Sequence, residues 1–149
     1  MILIIKKAIG SGLFSGYFPI APGTVGSLFA LAIFMIPGFE NLYIILPISF
    51  ICLIVGIFLG SNFEEIYGKD PKQFTLDEFV GTWIAFMFIP KSTELIIITF
   101  IIWRILDITK PYPANRAESL KGGWGIMLDD VVSGMYSLII IFIFRILFY

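Results

Sequence analysis

Charged side chains stand in three short blocks where long apolar runs begin or end, and charges in such places are costly enough to indicate chemistry. The blocks are "FTLDEFVG" with Asp77 and Glu78, "WRILDITKPYP" with Arg104, Asp107 and Lys110, and "GGWGIMLDDVVSG" with Asp129 and Asp130. Helical bundles build metal sites from carboxylates that project inward from facing helices. Basic side chains among those carboxylates favour an anionic substrate, and a metal with a positive clamp supplies most of what phosphoryl transfer requires.

Two of these blocks also have a purely structural interpretation. Thr75 precedes Glu78 by the spacing of a capping box, so the acids of the first block could simply cap a helix and favour its dipole. Arg104, Asp107 and Lys110 recur at a spacing of three and could form an ion-pair ladder at a helix end. An arginine within an apolar run is nevertheless costly unless it has a function.

The adjacent acids Asp129 and Asp130 are harder to explain by capping. One carboxylate is enough to cap a helix, and two neighbouring carboxylates that enter an apolar helix repel each other. A divalent cation would relieve this repulsion, and Mg²⁺ typically takes one or two carboxylates while keeping water sites for phosphate oxygens. The third block therefore predicts a magnesium site.

A fourth segment, "GYFPIAPGTVGS" at residues 16–27, places prolines, glycines and hydroxyls beside an apolar run. Glycines let the backbone approach an anion, Thr24 and Ser27 offer hydroxyl donors, and the helix that follows could bind phosphate at its N-terminus. The segment lacks the lysine of a P-loop, so a plain turn with a helix cap stays open as an alternative.

Composition limits the class of protein that carries these blocks. Of the 149 residues, 58% are hydrophobic and 14% are charged, whereas soluble domains carry about 25% charged residues. A membrane protein fits this composition. The net charge of −1 argues against a nucleic-acid partner, which requires a basic face. The absence of histidine excludes Ser-His-Asp triads and imidazole-based zinc sites.

Apolar runs at about 25–37, 42–60, 79–90, 95–106 and 131–149 predict an all-α, polytopic membrane bundle of four to five membrane helices. We expect a single domain over residues 1–149. The second and fifth runs are long enough to span a bilayer, and the third and fourth, joined by "PKSTE", predict a tight helical hairpin. Most basic residues fall on one side of this bundle, which predicts a cytoplasmic amino terminus and cytoplasmic polar loops.

The four blocks, in this order, resemble the phosphatidylglycerophosphatase A family from about residue 10 to residue 137. The resemblance implies a Mg²⁺-dependent enzyme of the bacterial cytoplasmic (inner) membrane, with its active site facing the cytoplasm. The implied reaction removes the terminal phosphate of the lipid phosphatidylglycerophosphate and gives phosphatidylglycerol and inorganic phosphate. The family positions are Pro22, Gly23, Thr24, Gly26 and Ser27 in the glycine-rich block, and Asp77, Glu78, Arg104, Asp107, Lys110, Asp129 and Asp130 in the charged blocks.

Roles follow from charge, taken together with the resemblance. The expected metal ligands are Asp77, Glu78, Asp129 and Asp130, the expected catalytic residues are Glu78, Arg104, Asp107 and Lys110, and the glycine-rich positions are expected to bind substrate. Glu78 either ligates the metal or acts as general base, and the two bases neutralise charge on the phosphoryl oxygens. Asp107 orients one of those bases or joins the metal ligands. Because no D-x-D motif is present, we expect an activated water rather than a covalent intermediate.

Other kinds of membrane protein stay open at this point. A small transporter or channel also uses intramembrane carboxylates and glycine-rich breaks, but it places them near the bilayer midplane and often in repeated halves. A structural subunit would pair its charges with a partner. A phosphatase of another lipid phosphate would need the same residues, and the sequence leaves the oligomeric state open.

Overall fold

The computed structural model describes residues 2–148, and every regular element in that range is helical. The helices are α1 (Ile2–Gly10), α2 (Pro22–Phe34), α3 (Leu42–Tyr67), α4 (Leu76–Phe86), α5 (Thr93–Thr109), α6 (Ala114–Ala117) and α7 (Gly123–Phe148), with a 3-10 helix at Ser15–Tyr17. The all-α prediction is confirmed for the described residues. The short helices α1 and α6 lie outside the predicted apolar runs.

Helices α3 and α7 are each 26 residues long and apolar enough to cross a membrane. At about 1.5 Å per residue, each exceeds the roughly 30 Å of a hydrocarbon core. Only 28% and 22% of the residues in their most apolar windows are buried inside the protein. Their outer faces expose large side chains such as Phe50, Phe58, Phe142 and Ile146. A soluble protein would bury such surface, so the exposed apolar faces favour a lipid environment.

Helix α4 lies at the centre of the bundle and contacts α2, α3, α5 and α7. Eleven residues are too few to span a bilayer, yet nearly all of them are buried by these neighbours. Gly81 lets Trp103 of α5 pack directly on the α4 backbone, where a Cβ would overlap the indole ring. Phe86 and Trp103 are fully buried. This central packing fixes the first turn of α4 relative to α5 and α7, which carry the other two charged blocks, and to α2, which carries the glycine-rich block.

The hydrogen bonds at the start of α4 contradict the predicted capping box of Thr75 and Glu78. Thr75 precedes the helix, as expected, but its side chain makes no capping bond and instead shares a 2.9 Å hydrogen bond with Ser15. The side chain of Glu78 accepts a hydrogen bond from Ser27 of α2. The capping-box interpretation is therefore wrong, because both side chains of the box bind partners in other segments.

The close approach of α3 and α7 depends on Gly123. A Cβ at this position would overlap the carbonyl oxygen of Ile57, and the Gly123 N–H donates to Ser61 Oγ at 2.9 Å. Gly123→Ala is therefore expected to lower the free energy of unfolding by about 1–3 kcal/mol through overpacking. A thermal melt of the purified protein in detergent measures the effect. A melting temperature equal to that of the wild type would contradict the packing described here.

At the other end of the bundle, two cations bind backbone carbonyls. Lys91 Nζ donates to Ile36 O at 2.8 Å and pairs with Glu40, while Arg145 Nη1 donates to Phe88 O at 2.9 Å. In the sequence, Lys91 lies in the "PKSTE" connection and Arg145 lies near the end of the fifth apolar run, so alternating helices place both away from most other basic residues. They lie at the opposite end of α4 from the charged blocks.

Candidate active site

The charged blocks meet because the helices that carry them begin or end at one end of the bundle. Helix α4 packs against α5, so the first turn of α4 lies beside the last turns of α5. The start of α2 and the second turn of α7 reach the same place, where Ser27 contacts Glu78 and Lys110 contacts Asp129. Four segments that are distant in sequence thus form one polar site.

Three buried carboxylates form the centre of this site. One oxygen from each of Glu78, Asp107 and Asp130 lies within 4.8 Å of the other two, and each acid comes from a different helix. Asp130 Oδ2 has no hydrogen-bond partner among the described residues. Asp77 and Asp129 were also predicted as metal ligands, and they lie outside this group of three. We call Glu78, Asp107 and Asp130 the carboxylate cluster.

Arg104 joins the carboxylate cluster to the glycine-rich segment. Its Nη1 donates to Glu78 Oε2, pairs with Asp107 at 2.7 Å, and lies 3.0 Å from Ser27 Oγ. Its Nη2 reaches Thr24 Oγ1 at 3.4 Å. The Arg104–Asp107 part of the predicted ladder is present, but the guanidinium also reaches two other helices. One side chain therefore holds the parts of the site together.

Lys110 and Asp129 form a second ion pair at the same site. The lysine follows the last residue of α5 in left-handed backbone, and its Nζ lies 2.6 Å from Asp129 Oδ2 and 3.0 Å from Glu118 Oε1. Burial by itself lowers the pKa of Lys110, but these hydrogen bonds outweigh it and raise the pKa above its usual value. The ammonium is thus held charged at physiological pH, ready to face an anion.

The carboxylate cluster carries more negative charge than its neighbours compensate. The Arg104 guanidinium pairs with Glu78 and Asp107, whereas Asp130 makes no ion pair among the described residues and one of its oxygens is buried without a partner. All the available ligand atoms are carboxylate oxygens, which hard cations such as Mg²⁺ and Ca²⁺ prefer. The site therefore suits a divalent cation of this class.

The glycine-rich segment divides between the site and the packing around it. Pro22 is the first residue of α2, and Pro22 and Gly23 line the cavity in front of the cluster. A Cβ on Gly23 would overlap Glu78 Oε1. Ser27 is fully buried on Glu78, whereas Gly26 packs against Thr75, where a Cβ would lie 2.9 Å from the threonine Cβ. Gly26 thus contacts the start of α4 rather than the cavity.

A cavity of about 790 Å³ opens in front of the carboxylate cluster. Predicted residues on its wall are Pro22, Gly23, Asp77, Glu78, Arg104, Lys110, Asp129 and Asp130. The wall also includes Tyr17, Phe18, Lys72 and Gln73, which the sequence did not mark as functional. The sequence did contain an indication of Lys72, because this basic residue stands in the loop just before the "FTLDEFVG" block.

Two helices long and apolar enough to cross a membrane and a buried acidic site with two bases define a helical protein suited to a cation and an anionic ligand. The chain belongs to the phosphatidylglycerophosphatase A family, whose model matches residues 8–145. This confirms the resemblance seen in the sequence.

Three relatives match over most of their length. A Bacteroides thetaiotaomicron protein, provisionally named a phosphatidylinositol-3-phosphatase, is 37% identical over 92% of this chain and 91% of its own. The Escherichia coli K12 phosphatidylglycerophosphatase A is 37% identical over 87% of this chain and 76% of its own. The Haemophilus influenzae phosphatidylglycerophosphatase A is 35% identical over 91% and 84%. No solved structure matches the chain significantly.

Proposed function

We propose that this protein is a Mg²⁺-dependent lipid phosphatase that hydrolyses the terminal phosphomonoester of phosphatidylglycerophosphate to phosphatidylglycerol and inorganic phosphate. The observation that carries the proposal is the carboxylate cluster, which Arg104 holds at the wall of a cavity large enough for a phospholipid headgroup. Membership of the family and the names of the Escherichia coli and Haemophilus influenzae relatives support the choice of lipid.

The carboxylate cluster would hold the cation, and Asp77 on the neighbouring cavity wall remains a further candidate ligand. When bound, Mg²⁺ supplies a Lewis acid that withdraws charge from phosphoryl oxygens and makes water a better nucleophile. Asp129 positions Lys110 through their 2.6 Å ion pair. This assignment gives the adjacent acids Asp129 and Asp130 different tasks.

Arg104 and Lys110 would bind the phosphoryl oxygens and stabilise the charge that develops on them. In the reaction, a water oxygen bonds to phosphorus while the bond from phosphorus to the headgroup oxygen breaks. Glu78 would accept the proton that the water loses, because its carboxylate lines the cavity beside the other acids of the cluster. The departing headgroup oxygen takes up a proton and becomes a hydroxyl group of the lipid product.

The site would lie at the cytoplasmic surface of the bacterial inner membrane. In this arrangement four to five helices cross or enter the bilayer, with α3 and α7 as full spans and the shorter α2, α4 and α5 packed between them. The charge asymmetry supports this orientation. Lys91 and Arg145 lie at the end of the bundle away from the site. Most other basic residues stand in or beside the charged blocks in the sequence.

A second candidate substrate is a phosphoinositide with a phosphomonoester on its inositol ring. The Bacteroides thetaiotaomicron relative has a provisional name that indicates such a lipid, and its match covers 92% of the present chain. Both candidate lipids carry a headgroup phosphomonoester and a phosphodiester that joins the headgroup to diacylglycerol. The same cluster and cavity would serve either reaction.

Removal of Mg²⁺ tests the proposal directly. The purified protein in detergent is expected to release phosphate from phosphatidylglycerophosphate, and chelation with EDTA should lower the rate by at least about a hundredfold. Added Mg²⁺ should restore the rate. Phosphatidylinositol 3-phosphate, phosphatidic acid and a polyprenyl phosphate in parallel assays identify the preferred lipid. Phosphate release that persists in EDTA would contradict the metal, and no release from any lipid would contradict the phosphatase.

A further inference from the structure

The mouth of the cavity carries a lysine that the proposed chemistry does not use. Lys72 lies in the loop between α3 and α4 and lines the cavity beside Gln73. Lys72 is exposed, whereas Glu78 and Asp130 on the same cavity wall are buried. This difference in burial places Lys72 at the mouth of the cavity and the carboxylate cluster at its base.

The loop keeps the backbone of Lys72 in a fixed place. Lys72 and Gln73 are the central residues of a turn in which Phe74 N donates to Pro71 O at 2.8 Å, and both of these flanking residues are buried. The Gln73 carbonyl packs on Gly16 so closely that a Cβ there would overlap it. A turn that is already anchored on both sides loses little backbone freedom when a ligand binds.

The Lys72 side chain is also unpaired among the described residues. Arg104 and Lys110, the other bases that line the cavity, each pair with two carboxylates. Within residues 2–148, Lys72 makes no hydrogen bond and no ion pair. It is therefore the cation on the cavity wall that is free to pair with a ligand.

Apolar side chains border the same cavity. Phe18, in the segment before α2, and Ile108, near the end of α5, line it and are 53% and 69% exposed. A lysine that lines the same cavity as exposed apolar side chains matches the level in a bilayer where lipid phosphates meet acyl chains. A lipid could thus keep its acyl chains against Phe18 and Ile108 while its headgroup enters the cavity.

We propose that Lys72 binds the phosphodiester phosphate of the substrate, the phosphate that joins the headgroup to diacylglycerol, while the phosphomonoester reaches the carboxylate cluster. This inference rests on the proposed function and adds a specificity-determining residue to it. An ammonium group is a compact charged donor suited to a phosphate oxygen. Lys72 would then favour phospholipids that carry a headgroup phosphomonoester over phosphatidic acid, in which the monoester is attached directly to diacylglycerol.

The test compares Lys72→Ala with Lys69→Ala, which removes an exposed lysine of the same loop that does not line this cavity. In mixed micelles with Mg²⁺, Lys72→Ala is expected to raise KM for phosphatidylglycerophosphate about tenfold with little change in kcat, as for loss of one charge-assisted hydrogen bond. Inhibition by phosphatidylglycerol, which has the phosphodiester but no monoester, should weaken by a similar factor. Inhibition by inorganic phosphate should stay unchanged, and Lys72→Arg should restore KM.

The outcomes separate this inference from the function on which it rests. A wild-type protein that releases no phosphate from phosphatidylglycerophosphate would overturn the proposed function. An active Lys72→Ala protein with the KM of Lys69→Ala would overturn the role of Lys72 alone. Equal weakening of inhibition by phosphatidylglycerol and by inorganic phosphate would also overturn it, because Lys72 would then act on the monoester or on the whole site.

Discussion

Asp130→Asn is expected to lower the rate of phosphate release by about a thousandfold or more, because it removes a charged ligand from the carboxylate cluster. The substitution preserves the size of the side chain. In the absence of metal it also removes the one acid of the carboxylate cluster that does not pair with Arg104. We therefore expect the metal-free variant to melt at the same temperature as the wild type or higher, while the increase that Mg²⁺ gives the wild type is lost.

Glu65→Gln is the matched control for this experiment, since Glu65 is an exposed acid on α3 away from the cavity. It should keep both the activity and the stabilisation by Mg²⁺. Phosphate release and melting temperature are measured on the same detergent preparations. An active Asp130→Asn protein that Mg²⁺ still stabilises would show that the cation is held elsewhere. A large loss of stability without metal would show that Asp130 has a structural role.

The sequence predicted which blocks carry the site but not which acid of each adjacent pair joins the carboxylate cluster. Successive residues on an α-helix point about 100° apart, so Asp129 and Asp130 face different neighbours. Asp130 lies in the cluster, while Asp129 pairs with Lys110. Which of the two faces the cluster depends on how α7 is rotated about its axis, and packing against α3, α4 and α5 sets this rotation. No local pattern within "LDDVV" contains that information.

Helix ends were predictable where the chain itself dictates them. Pro22 begins α2, and Pro111 lies two residues after the last residue of α5, because proline fits a first turn and interrupts a continuing helix. The start of α7 was not predictable in this way. Its first residues are rich in glycine, and Gly123 is helical where it packs on the α3 backbone. Tertiary contact there overrides a weak local preference.

The role of Thr75 was beyond sequence reasoning for the same physical reason. Capping depends on residues within one turn, and the spacing from Thr75 to Glu78 satisfies it. The structure offers both side chains stronger partners from distant segments, namely Ser15 and the Ser27–Arg104 pair. A buried polar group takes the partner that packing brings to it, because leaving that partner unsatisfied would cost more than an open helix end near water.

Arg104→Lys is expected to lower kcat by about a hundredfold or more while the protein stays folded. Lysine keeps the positive charge that the buried acids need, but it lacks the planar fork that donates to Glu78, Ser27 and Thr24. An ammonium carries its three donors on one nitrogen, so it cannot hold Glu78 and Asp107 in place and also reach the position that Nη2 occupies near Thr24. Each lost charge-assisted hydrogen bond is worth about 1.5–3 kcal/mol. The lost interactions are those that stabilise the charge on the phosphoryl oxygens in the transition state, so the substitution lowers kcat.

Arg116→Lys serves as the control, because Arg116 is exposed on α6 and its guanidinium lies over the Tyr112 ring away from the carboxylate cluster. Its activity should equal that of the wild type. Phosphate release across a range of lipid concentrations separates kcat from KM for both variants. If Arg104→Lys raised KM alone, Arg104 would bind substrate and transition state equally. Arg104 would then position the lipid without stabilising the reaction, and the carboxylate cluster would keep its geometry without the fork.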